Sequence, residues 1–287
     1  MGDLAWSVGK VRITRVVENE VPLPLSALIP EATPEALAVH RAWLAPHFLG
    51  ADGATILSVH GLVVESAGRR ILVDTCAGKH AVRGYEALIA GGRPFLAELE
   101  RAGFPPASID VVVCTHMHFD HVGWNTHESG GKLVPSFPRA RYLFARTEWE
   151  HWSEEARGGY APTIDAAVRP IVAAGLADLV ACDHAVTPEV RLVPSPGHTP
   201  GHVCVAIESE GARALITGDA THHPVQWAEA DWKMDADTDS AQAAATRKRL
   251  RAEAADNPVL VIGTHYAEPC AGHVVTNGAG FAFRAVR

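Results

Sequence analysis

The chain has 287 residues, of which 47% are hydrophobic and 20% charged, a composition that suits a packed globular protein and is too apolar for a disordered one. Lys+Arg 25 against Asp+Glu 33 leaves a formal net charge of −8, which removes the broad basic field that nucleic-acid binding needs. No apolar run approaches the roughly 20 residues that cross a bilayer, and the first ten residues lack the basic-then-apolar pattern of a secretory signal.

Cysteine usage points the same way. Cys76, Cys114, Cys182, Cys204 and Cys270 are odd in number, widely spaced and form no CxxC pair. A disulfide framework is not expected, and the reading is a cytoplasmic protein with no nucleic-acid and no membrane partner.

In chain order, β-branched content predicts an early strand over 11–21. Thr33-Pro34 is a helix start, with Thr at the N-cap and Pro at the first helical position. The Pro- and Ala-containing stretch of about 22–53 reads as an insertion within one domain covering 1–287. Strands follow over 55–65 and 70–74, joined at the turn Ala67-Gly68. A short apolar run predicts a buried strand over 109–114, and another strand is expected over 141–145. Helices are expected over 147–156 and 163–174, then strands over 190–193, 203–207 and 212–217. The Ala-rich stretch 239–255 predicts a helix that stops at Asn257-Pro258, and a strand over 259–262 closes the main pattern. Strands bunch in hairpins and helices interrupt them without strict alternation. That favours an α+β layered sandwich over a doubly wound parallel sheet.

The chemistry concentrates in His116-Met117-His118-Phe119-Asp120-His121, which follows the predicted strand over 109–114. His116 and His118 leave a strand end on one side, and Asp120 and His121 lie where the loop turns into the next element. Such spacing presents two groups of ligands in two directions. Imidazole and carboxylate together suit Zn²⁺ and other first-row divalent ions. Three more predicted strand ends deliver His198, Asp219 and His265, each beside a glycine that lets the backbone pass close to a compact site. A single His near a strand end is more often a packed, hydrogen-bonded residue than a ligand, and His151, His184, His202 and His273 take that reading. For the seven-residue set, four loops would have to mislead together.

This set resembles the metallo-β-lactamase superfamily: the HxHxDH signature stands at His116 to His121, and the later His, Asp and His follow in the family's order. The resemblance covers nearly the whole chain and implies a four-layer αβ/βα sandwich with a binuclear metal site at one edge. Carried over by position, one ion takes His116, His118 and His198, the other takes Asp120, His121 and His265, and Asp219 bridges them. Two divalent ions are implied, Zn²⁺ first, with Mn²⁺, Fe²⁺ and Co²⁺ as alternatives. The segment Gly218-Asp219-Ala220-Thr221-His222-His223, with Arg247, Lys248 and Arg249 further on, looks like the branch that contains methyl parathion hydrolase and some acyl-homoserine lactonases.

That branch implies a metal-bridging hydroxide that opens a lactone or cleaves a related carboxylic ester. Organophosphate triesters and aryl esters are the nearest alternative substrates; a β-lactam, mono-iron oxygenase chemistry and a metal-dependent sensor without turnover stand further off. Asp120 is expected to relay a proton to the leaving group. Many lactonases of the other branch carry a Tyr three residues after the bridging Asp. His222 stands there, and is read either as a donor to the substrate or as a structural loop histidine. Asp74 matches a family Asp that orients a ligand or the following loop. Trp124 is expected to line the substrate pocket, and one of Trp149 and Trp152 to belong to the core. The resemblance also implies a homodimer, with the 22–53 stretch packing on a second subunit or roofing the pocket.

Overall fold

A computed structural model describes residues 4–79, 86–153 and 160–286. Its strands are β1 Ala5–Val8, β2 Val11–Leu23, β3 Thr55–Ser66, β4 Arg69–Val73, β5 Val111–Val113, β6 Thr126–Ser129, β7 Lys132–Pro135, β8 Arg141–Ala145, β9 Ala177–Val180, β10 Val190–Pro194, β11 Val203–Ser209, β12 Ala212–Ile216, β13 Val259–Ile262, β14 Ala271–Asn277 and β15 Gly280–Val286. They form a seven-stranded sheet ordered β1-β2-β3-β4-β5-β8-β9, a six-stranded sheet running β10 to β15, and the small β6-β7 ribbon. One hydrophobic cluster joins the sheets, taking in Val63, Leu72 and Val112 from the first and Val205, Ile216 and Val261 from the second. Helix Phe95–Arg101 packs on β2, Arg146–Ser153 on β8 and β9, and Ser240–Ala254 on β14.

Local sequence explains the ends of several elements. Ala67 and Gly68 both take positive φ, 51° and 74°, which is what a two-residue turn between twisted strands requires. Thr33 caps helix Pro34–Val39 by accepting the Ala36 N–H at 3.3 Å, and Asp239 caps Ser240–Ala254 by accepting the Gln242 N–H at 2.9 Å. The helix expected over 163–174 runs through a π-turn at Ile164–Val168. Pro170 has no N–H to offer Ala166, and the freed carbonyl accepts the Thr126 hydroxyl instead, at 2.8 Å.

The strand expected over 109–114 is shorter than anticipated, because a 3₁₀ turn at Pro106–Ser108 precedes it. Nor does β13 close the pattern: β14 and β15 follow as a hairpin around the turn at Gly278. β14 opens Ala-Gly-His before its Val274-Val275-Thr276 run and β15 opens with Gly, so the strand signal is diluted at the start of each. β1, β6, β7 and β9 are also additions, each of four residues. Of the helix expected over 147–156, residues 154–156 lie outside the described residues. Within the 22–53 stretch, Phe48 is buried against Tyr266 and Phe283, so this end of it packs on the chain's own C-terminal hairpin.

The sheet directions place the site. β4, β5 and β8 are mutually parallel, and β12 and β13 are parallel to each other. β10 lies two antiparallel steps from β12 and so points the same way. The loops after β10, β12 and β13 therefore leave one end of the second sheet, and the meeting of their residues with those of the loop after β5 puts all four loops at one edge. The loops after β5, β10, β12 and β13 carry His116 to His121, His198, Asp219 and His265 respectively.

Candidate metal centre

Those loops bring all seven residues together. His116, His118, His198 and Asp219 form one group, and Asp120, His121 and His265 another, with ligand atoms within 4.8 Å of one another in each. Asp219 stands between the groups. Its Oδ2 lies 3.3 Å from His198 Nε2, 3.6 Å from His116 Nε2 and 3.2 Å from His121 Nε2, while Oδ1 lies 3.1 Å from His265 Nε2. Asp120 reaches His121 at 3.7 Å and His265 at 3.6 Å.

The far sides of the imidazoles are held by the protein, which fixes their orientation. Asp74 Oδ2 accepts from His121 Nδ1 at 2.9 Å, and Asp74 also receives the Thr115 N–H and hydroxyl. Asp237 accepts from His198 Nδ1 at 3.0 Å, and the Ser58 carbonyl accepts from His265 Nδ1 at 2.8 Å. His202 sits behind the centre as a packed residue, its Nε2 accepting the Asp219 N–H at 2.8 Å.

Burial and mutual repulsion shape the charges. His116 and His118 are held well below the ordinary histidine range, by burial first and then by neighbouring imidazoles. Burial opposes charge on Asp219 too, yet the ring of His121, His265, His222 and His116 pulls it well below the carboxylate range. Against the same burial, Asp219, Asp74 and Asp120 pull His121 well above its usual value, and Asp219 with Asp237 lifts His198 to about 9. Without metal, His116 and His118 stay neutral, the form that binds metal, whereas His121, His198 and His265 are shifted toward holding protons that a bound ion would displace.

The atoms facing inward are also short of partners. His116 Nε2 and Asp219 Oδ1 are buried and make no hydrogen bond. His198 Nε2 and His118 Nδ1 stand 3.0 Å apart, nitrogen to nitrogen. Buried lone pairs without donors are costly, and divalent cations would satisfy them. The donor set, five imidazoles and two carboxylates, fits two first-row divalent ions.

Further residues complete or leave the site. His222 joins it: Nε2 lies 3.0 Å from Asp219 Oδ2, and Nδ1 is buried with no hydrogen bond. A narrow cavity of about 20 Å³ opens on the centre, lined by His118, Asp120, His198, Asp219, His222 and His265, with Leu28, Leu57, Phe119, Tyr160, Met234 and Ala236 as the remaining wall. Leu28, one of these wall residues, comes from the 22–53 stretch. Tyr160 stacks on His118 at 4.5 Å.

The placement of Trp124 is a correction. It does not line this cavity; it is buried, and its indole N–H donates to the Glu18 carboxylate. Glu18 is the extra residue where the β2–β3 register shifts between Val17 and Asn19, a bulge that turns its side chain inward. There it also accepts the N–H groups of Ala77 and Gly78. Trp152, too, is core, donating to Glu148 at 2.7 Å.

Sequence reasoning missed Glu18, Asp237 and the apolar wall. Glu18 has a weak signal, an acid inside a β-branched strand that also carries Glu20. Asp237 stands in the alternating run Asp235, Asp237, Asp239, where nothing in the sequence marks one carboxylate from the next. The wall residues are scattered through the chain and carry none.

The profile of the metallo-beta-lactamase superfamily matches residues 54–265, well over half of the chain. The chain belongs to this superfamily. An N-acyl homoserine lactonase of Bacillus cereus is 29% identical over 179 residues, which cover 58% of this chain and 65% of the lactonase, a little under two thirds of its length. A protein of Mycobacterium tuberculosis named as a probable metallo-hydrolase is 26% identical over 221 residues, 68% of this chain and 66% of the relative. Among solved structures, the dizinc quorum-quenching lactonase AidC, bound to its N-hexanoyl-L-homoserine product, superposes with a TM-score of 0.81 at 21% identity, covering 100% of this chain and 98% of its own. A hydrolase of the β-lactamase superfamily, AbOPH, gives a TM-score of 0.81 at 20% identity with the same coverage. At these identities the structural likeness establishes the superfamily's sandwich fold.

Proposed function

We propose that this superfamily member is a binuclear metal-dependent hydrolase that opens a lactone or cleaves a related carboxylic ester. The observation that carries this reading is the convergence of His116, His118, His198, Asp120, His121 and His265 around Asp219. The lactonases among its relatives and structural neighbours support the substrate class. Zn²⁺ is the first choice of ion, since one of those neighbours is a dizinc lactonase.

His116, His118 and His198 would hold one ion, Asp120, His121 and His265 the other, and Asp219 both. Divalent ions held there supply Lewis acidity toward the substrate oxygen and a water nucleophile usable near neutral pH. The chain's own residues do the rest. Leu28, Leu57, Phe119 and Met234 give an apolar wall for an acyl part. Asp120, the most exposed of the seven, has its carboxylate at the cavity and carries a proton to the leaving oxygen. His222 stacks 5.5 Å from His265 beside Asp219, lines the cavity, and donates a hydrogen bond to a substrate oxygen.

The test is a hydrolysis screen on metal-loaded protein with lactones, aryl esters, phosphotriesters and β-lactams, read as relative kcat/KM. Highest values for lactones or simple esters support the reading. Preference for phosphotriesters moves the enzyme to the alternative substrate class, and ligand binding with no turnover makes it a sensor.

Placement in the cytoplasm and a homodimeric state belong to the same proposal. The first rests on five cysteines that form no disulfide and on there being no helix, among the described residues, long and apolar enough to cross a membrane. The second rests on the resemblance alone, and light scattering tests it. The net charge of −8 disfavours a nucleic-acid partner.

A further inference from the structure

Behind His198 lies a layer of polar residues that no ligand motif contains. Arg247 projects from helix Ser240–Ala254 and is wholly buried. Its guanidinium spans three acceptors on one strap of chain: Nε donates to the Ala230 carbonyl at 2.8 Å, Nη2 to the Trp232 carbonyl at 3.0 Å, and Nη1 to Asp237 Oδ2 at 3.5 Å. Asp237, its side chain closed to solvent, uses Oδ1 to accept from His198 Nδ1 at 3.0 Å and Oδ2 to accept the Met234 N–H at 3.3 Å.

The strap from 230 to 237 is tied at further points. The Asp235 N–H donates to the Leu28 carbonyl at 3.0 Å, and the Thr238 and Asp239 N–H groups donate to the His198 and Gly197 carbonyls, each at 2.9 Å. Met234 and Ala236 from the strap, and Leu28 from the segment bonded to it, are wall residues of the cavity. The element that walls the cavity is therefore the element whose carboxylate orients a ligand imidazole.

We propose that Arg247 and Asp237 are a positioning pair that locks this strap onto His198, so that cavity shape and the aim of one metal ligand are set together. Neither residue touches substrate. Arg247 acts through its fork, which reaches acceptors a single ammonium cannot cover together. Asp237 acts by holding His198 as the Nδ1–H tautomer, leaving Nε2 for metal. This inference rests on the binuclear reading of the site and adds a specificity device to it.

Two variants test it. Arg247→Lys keeps the charge and removes the fork. Asp237→Asn keeps the shape but turns an amide toward Arg247. Three readouts are taken: hydrogen exchange along 230–239 in metal-free protein, zinc affinity by chelator competition, and kcat/KM across esters of increasing acyl length. For Arg247→Lys, faster exchange confined to that strap and at least a fivefold flattening of acyl-length preference are expected. For Asp237→Asn, zinc at the His198 group is expected to weaken by about 10–100-fold. Unchanged strap exchange and zinc affinity in both variants would overturn the proposal, whatever happens to melting temperature. Wild-type protein that binds fewer than two ions would instead overturn the binuclear reading. A wild type that binds two ions and cleaves no ester leaves the decision to exchange and zinc affinity.

Discussion

Oδ2 of Asp74 lies 2.9 Å from Nδ1 of His121, with both side chains closed to solvent. The Asp74 carboxylate also accepts the N–H and hydroxyl of Thr115, the residue before His116, so one group braces both arms of the β5 loop. Asp74 takes a positive φ of 60°, which Asn tolerates almost as well. Asp74→Asn is therefore expected to fold while weakening zinc at the Asp120, His121 and His265 group by about 10–100-fold. Chelator competition should show one tight and one loosened ion; two unchanged ions would mean that Asp74 only shapes the turn.

Glu18 supplies a pH signature. Burial pushes its carboxyl up to about 7, against the donors from Trp124, Ala77 and Gly78 that favour the charged form. The folded value exceeds the ordinary 4.5, so the folded chain holds this proton more tightly than the unfolded one. Its contribution to stability is complete below about pH 4.5 and is lost as pH rises through about 7. Between pH 5 and 8, urea unfolding of metal-free wild type should lose about 2–3 kcal/mol more stability than Glu18→Gln. Parallel stability curves for the two proteins would rule this out.

His222 makes a third ligand-like set with Asp219 and His265, so its role separates two outcomes. As a donor to substrate, its loss in His222→Phe should lower kcat by about 10²-fold with both ions retained. Loss of an ion on elemental analysis would make it a metal ligand instead.

Asp219 is the single carboxylate shared by both groups. Asp219→Ala should remove metal and hydrolysis together, because five imidazoles crowd around one charge and repel each other once protonated. A variant that still binds two ions and turns over substrate would refute the shared role.

The strands that deliver the site were largely legible in the sequence, because β5, β10, β12 and β13 are apolar or β-branched runs bounded by turns. The candidate metal residues were legible for a different reason: His and Asp recur shortly after those strands, whatever the fold between them. The C-terminal hairpin was not, since Gly272, His273 and Gly280 dilute its pattern. Trp124 misled because proximity in sequence to His121 says nothing about which side of the loop an indole faces; a bulge at Glu18, set by pairing with β3, decides that. Asp237 and Arg247 lie ten residues apart, but only the packed helix shows that Arg247 closes on Asp237 behind His198.

The most direct measurement titrates metal-stripped protein with Zn²⁺ while following hydrolysis of a lactone or simple ester. Activity that rises with added zinc and levels off at two equivalents per chain is the expected result. Activity that is full without metal, or that levels off at one equivalent, would contradict a paired-ion centre built on Asp219.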